Sequence, residues 1–119
     1  MKEIRMKKRK LTEAITEVEG ESIDEIAEFL STELEAEVLT SVKLGDGKKA
    51  ILLVAESYYF RSENYASISI MLTDDGDVLK AVIVGAGGGG GLFNVGWGAN
   101  SNYAYRGEEL LAALGFEMV

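Results

Sequence analysis

Five consecutive glycines, Gly87, Gly88, Gly89, Gly90 and Gly91, are followed over the next fifteen residues by Asn94, Trp97, Asn100, Asn102 and Arg106. Successive glycine amides can turn inward together and bind an anion, as in a backbone nest. Amide, indole and guanidinium side chains nearby would add hydrogen-bond donors and an aromatic wall. These ten residues are the candidate ligand-binding set. A run of glycines costs more backbone entropy on ordering than any other sequence, so the tract needs a reason. Three readings stand: a nest for a small polar ligand, a bulge or close crossing where a strand bends against a helix or another subunit, and a mobile flap over a pocket between sheet and C-terminal helix. Only 28 residues follow Gly91, too few to fold alone without metals or disulfides, so an interdomain linker does not fit.

Gly85-Ala86-Gly87-Gly88-Gly89-Gly90 formally satisfies G-x-G-x-x-G, and Glu108 and Glu109 lie about twenty residues further on. The dinucleotide fingerprint also needs a parallel βαβ unit and a helix opening at its third glycine. Here Leu92-Phe93-Asn94-Val95-Gly96-Trp97 follows instead. A Walker A loop needs Gly-Lys-Ser/Thr, and the nearby lysine, Lys80, lies upstream. Nucleotide binding is therefore set aside.

The chain contains no His and no Cys. That removes the commonest general base, the commonest metal ligand, thiolate nucleophiles and disulfides. No catalytic constellation is recognised, and no metal site or cofactor is expected. An enzyme would have to work with Asp, Glu, Tyr or Lys alone. Asp74-Asp75-Gly76-Asp77 resembles the start of a calcium loop but lacks the Glu at position 12 and reads as a solvated hairpin. Tyr58, Tyr59, Phe60 and Tyr65 suit strand packing as well as a groove. Arg61 and Arg106 either hold an anion or pair with some of the many acids.

The net charge of −8 conceals a split. Residues 1–10 carry six bases and Glu3, whereas residues 11–42 hold ten acids and no base. The basic arm is expected to neutralise the acidic stretch, with no nucleic acid and no membrane surface as partner, because the acidic body repels phosphates. No apolar run approaches the ~20 residues of a membrane span and no signal region follows the basic start, so the expected location is cytoplasmic.

The elements that must position these residues follow from periodicity. Ile4 and Met6 alternate with Arg5 and Lys7, as in a short edge strand. Leu11, Ile15 and Val18 suit a turn or two of helix. Ser22-Ile23-Asp24-Glu25 is a capping box, with the Ser22 hydroxyl expected to accept from the Glu25 amide, and Ile23, Ile26, Ala27, Leu30 and Leu34 then stripe a helix over about 23–35. Period two returns with Val38, Thr40, Val42 and Leu44 on one face. The turns Gly45-Asp46-Gly47, Arg61-Asn64 and Asp75-Gly76 then join strands at 49–60, 66–72 and 78–84 into an antiparallel meander with one face packed and one wetter. Leu92–Trp97 reads as a further irregular strand, and Asn100, Ser101 and Asn102 offer caps for a last helix ended by Gly115.

The expected architecture is a single α+β domain over residues 1–119, with an antiparallel meander of about five or six strands and N-terminal and C-terminal helices packed on one face. The stretch from Val84 through Gly85–Gly91 to Leu92-Phe93, with Trp97-Gly98-Ala99 and a terminal helix, resembles small uncharacterised proteins of Gram-positive bacteria. These form a domain-of-unknown-function family with a G-G-G-x-G-x-F-like segment before the last helix. The resemblance implies a bacterial cytoplasmic origin and brings no activity with it. The leading expectation is a non-enzymatic module that binds a small ligand or a protein through loop 85–98. The alternative is a structural homo-oligomer, such as a homodimer, whose glycines allow close subunit approach. A hydrophobic cavity between sheet and C-terminal helix would favour the first, and an apolar patch on the outer face of the sheet the second.

Overall fold

Apolar residues recurring every second position bury one side of each long strand, and the elements assemble around that side. The computed structural model describes residues 2–9, 22–59, 64–87 and 97–119. In chain order they form β1 (Lys2–Arg9), α1 (Ile23–Leu34), β2 (Glu37–Gly45), β3 (Lys48–Tyr59), β4 (Asn64–Asp74), β5 (Val78–Gly87), α2 (Trp97–Ala113) and β6 (Glu117–Met118). The six strands make one sheet in the order β2-β3-β4-β5-β1-β6, antiparallel throughout. The expected α+β class and meander are present.

Register carries the buried positions across the sheet. Leu53 pairs with Ile70, Ile70 with Ile83 and Ile83 with Ile4, and all four are buried. Both helices lie on this side. Ile23, Ile26, Leu30 and Leu34 of α1 join Tyr103, Ala104 and Leu111 of α2 and the sheet residues in one core cluster. Fully burying each such side chain contributes roughly 1.5–3 kcal/mol.

Helix ends follow their local chemistry. The Ser22 hydroxyl caps α1 by accepting from the Asp24 amide at 3.2 Å. Glu35 closes the helix in the left-handed conformation at φ 51°, and the Ser31 hydroxyl donates to the Ala36 carbonyl at 2.6 Å. At the end of α2, Gly115 takes φ +96°, a conformation that disfavours a side chain, and the Phe116 amide reaches back to Leu111 O. The turn buries Phe116 and starts β6. Lys8 Nζ is buried beside this turn, where a helix C-terminus favours a cation.

Four expectations change. β1 is not simply an edge strand: it pairs along its length with β5, and β6 covers it at Met6 and Lys7. Bulges between Val38 and Thr40 and between Lys43 and Gly45 break the parity of β2, so Val38 faces Leu53 while Thr40 faces Leu52. The single alternation expected along that strand is therefore interrupted. α2 begins at Trp97, so Asn100, Ser101 and Asn102 lie inside the helix and are not its caps. Finally, β5 runs on through Gly85, Ala86 and Gly87, which pair with Ile68, Ser67 and Ala66. The expected helix at Leu11–Val18, the turn at Arg61–Glu63 and the strand residues Leu92–Val95 lie outside the described residues, as does Phe60.

Candidate functional site

Of the ten residues singled out around the glycine tract, Gly88, Gly89, Gly90, Gly91 and Asn94 lie outside the described residues. Gly87 is the last residue of β5, and Trp97, Asn100 and Asn102 occupy the first turns of α2. Arg106 stands one turn after Asn102, and its exposed guanidinium lies 3.8 Å from the Glu33 carboxylate of α1. Arg106 therefore joins the two helices through an ion pair.

At Gly107 helix α2 lies in direct contact with the sheet. An ideal Cβ on Gly107 would lie 2.9 Å from Ile68 Cδ1 and 3.4 Å from Ile83 Cδ1. The helix backbone thus rests directly on two fully buried isoleucines. Tyr103 is buried alongside and donates its hydroxyl to Leu34 O at 3.2 Å, joining α2 to the last turn of α1. A surface groove of about 560 Å³ lies between the helices, lined by Phe29 and Leu114 and by Glu25, Glu28 and Glu33. Its chemistry would suit a cation, and Arg106 at one end already neutralises Glu33.

The aspartate turn between β4 and β5 is satisfied internally. Asp75 Oδ1 accepts from the Val78 amide at 2.7 Å and the Asp77 amide at 3.0 Å, and Asp74 Oδ1 accepts from Gly76 at 2.8 Å. Among the described residues no three metal-ligating side chains cluster. The amides of Val78 and then Asp77 hold the Asp75 carboxyl below its usual range. A carboxyl depressed in the folded state stabilises fully above its unfolded pKa and loses that contribution as pH falls through the lower folded value. Asp75→Asn keeps the Oδ1 acceptor but cannot titrate. Its urea midpoint should therefore fall less steeply than that of the native chain below about pH 4, and parallel acid limbs would contradict this role.

The feature that nothing covers among the described residues is the other side of the sheet. Register places its side chains in rows across the strands. Thr40, Leu52, Met71, Val82 and Arg5 form the central row. On one side lies Glu37-Val54-Ser69-Val84-Glu3, and beyond it Glu56-Ser67-Ala86. On the other side lies Val42-Ala50-Thr73-Lys80-Lys7, with Lys48 and Arg9 beyond. Leu52, Val54, Val82 and Val84 are half-buried, Met71 is 45 % exposed and Val42 49 %. The middle of this face is thus apolar, one end carries Glu3, Glu37 and Glu56, and the other Lys7, Lys48, Lys80 and Arg9, with Asp77 of the adjoining turn 4.0 Å from Arg9.

Sequence reasoning expected a packed and a wetter face here and missed the apolar middle. The signal lay in Ile51-Leu52-Leu53-Val54 and Ala81-Val82-Ile83-Val84, which are apolar at both parities. Continuous runs of this kind characterise strands buried on both faces. Here the helices cover one.

Comparison with curated proteins and with solved structures finds no match. The model of one family, described as a family of unknown function (DUF6054), matches residues 7–115 and so takes in every element from within β1 to the end of α2. The chain belongs to that family.

Proposed function

We propose that the chain is a non-enzymatic protein-interaction module that works through the face of its sheet that no described element covers. The observation that carries this reading is the mismatch between sequence and coverage: β3 and β5 are apolar on both sides, while α1 and α2 occupy one side only. Contiguous exposed apolar surface rimmed by polar residues is the usual mark of a protein contact. The protein-binding form is favoured over the small-ligand form because α2 sits directly on Ile68 and Ile83, leaving no chamber at that point. With neither His nor Cys in the chain, nothing in its composition argues for catalysis. Among the described residues, no helix is long and apolar enough to cross a membrane.

A photocrosslinking residue in place of Met71, in the native cells, should give a discrete adduct that disappears when Val82→Glu is added. The same residue in place of Tyr105, exposed on α2, should give none. No adduct at position 71, or equal adducts at both, would sink the reading.

A further inference from the structure

We infer that the occupant of this face is a second copy of the chain, docked face to face about a two-fold axis that runs across the strands. This rests on the uncovered face being an interface at all. What identifies the partner is the order of charge along the strands. Glu3, Glu37 and Glu56 stand at one end of the face, and Lys7, Lys80 and Lys48 at the other, with Leu52, Val54, Met71, Val82 and Val84 between. A surface that is acidic, apolar and basic in succession is complementary to itself when turned end for end.

The choice of axis follows. An axis along the strands would set acid over acid and base over base, which opposes association. An axis across them, through the central row, keeps each strand over its own copy and reverses its direction. Met71 then faces Met71 of the other copy, Glu3 faces Lys7, and Glu56 faces Lys48. The four-carbon stem of Lys80 lies over Val84, apolar on apolar, with its ammonium free to reach the rim. Arg5, on the central row, is already held by Glu3 in its own strand. Two sheets packed in this way lie about 10 Å apart with strands within roughly 30° of alignment, so long rim side chains still reach across.

Size is consistent as well. Five strands about 4.8 Å apart, over the rows named, span on the order of 600 Å² of sheet. That approaches the about 800 Å² of accessible surface per partner of a standard interface.

Sedimentation equilibrium of the full chain across the micromolar range tests this, together with a charge-swapped pair. The native chain should reach twice its monomer mass. Val82→Glu should weaken association by about tenfold or more, while circular dichroism shows the fold retained. Glu3→Lys with Glu56→Lys places like charges on the other copy's Lys7 and Lys48, and Lys7→Glu with Lys48→Glu does the converse. Each double variant alone should associate about tenfold more weakly, and their equimolar mixture should recover as a heterodimer. A chain that stays monomeric throughout overturns the second copy as occupant, while the crosslink at position 71 still decides whether the face is used. A dimer untouched by Val82→Glu overturns both. A dimer that Val82→Glu weakens but charge swapping does not re-pair overturns the axis.

Discussion

Gly107→Leu should lower the melting temperature by roughly 10 °C or more, the loss of about 3 kcal/mol or more from a domain of this size. Gly107 lies inside α2, where glycine is itself unfavourable by about 1 kcal/mol relative to alanine. Helix propensity alone would therefore predict that any replacement stabilises. Close approach decides otherwise. A bare Cβ already falls 2.9 Å from Ile68 Cδ1, and both Ile68 and Ile83 are fully buried. Alanine needs only a shift of the Ile68 terminal methyl, so its propensity gain roughly offsets an overpacking cost of about 1–3 kcal/mol. Leucine adds three carbons with no room and must lift α2 from β4 and β5. Differential scanning calorimetry of the Ala and Leu variants separates the two terms. A leucine variant melting with the native chain would show that α2 does not rest on the sheet as described.

The second large effect contrasts two neighbours on β4. Ile70 is 1 % exposed and Met71 45 %. Ile70→Glu places a carboxylate among Leu53, Ile83 and the helices, where it has no partner. That should cost more than about 4 kcal/mol of a total that is typically 5–15, so the variant should be largely unfolded or melt far below the native chain. Met71→Glu puts the same charge one residue along, on the side away from the helices. Its melting temperature should move by only a few degrees, the scale of a strand propensity change of up to about 1 kcal/mol. What it should lose is association. Thermal melts and sedimentation on both variants test the assignment of faces directly, and matching behaviour would mean that the parity of β4 is misread.

Much of this architecture was legible in the residues. The alternation Ala66, Ile68, Ile70, Leu72 against Ser67 and Ser69 marks β4 and its buried side, because a strand turns successive side chains to opposite faces. Ser22 and the stripe from Ile23 to Leu34 mark α1 within one residue, and Asp46-Gly47 and Asp75-Gly76 mark two hairpins. Where the reading departed, a longer-range partner or a local irregularity decided. The bulge between Val38 and Thr40 shifts register by one residue and a second between Lys43 and Gly45 shifts it again, so no single alternation runs through β2. β6 has only two residues and no periodicity to read, and it exists because burial of Phe116 brings the chain back beside Met6 and Lys7. The start of α2 at Trp97 precedes the best capping residues, since packing of Tyr103, Ala104 and Gly107 on the sheet outweighs local cap preference.

The same division applies to the candidate site. The glycine tract drew attention because its composition is unusual, and composition is what a sequence displays. The face opposite the helices is built from ordinary valines and lysines, Leu52 and Met71, contributed by five strands.

What the sequence by itself determined is the class of the fold, the helix and strand faces that must be buried, and the chemistries ruled out by lacking His and Cys. Each follows from properties carried by single residues or by spacing within one segment. Only the tertiary structure decided that α2 closes onto Ile68 and Ile83, and that acids and bases gather toward opposite ends of an apolar sheet face. Those depend on register between strands separated by tens of residues, where one residue of slip exchanges inside for outside.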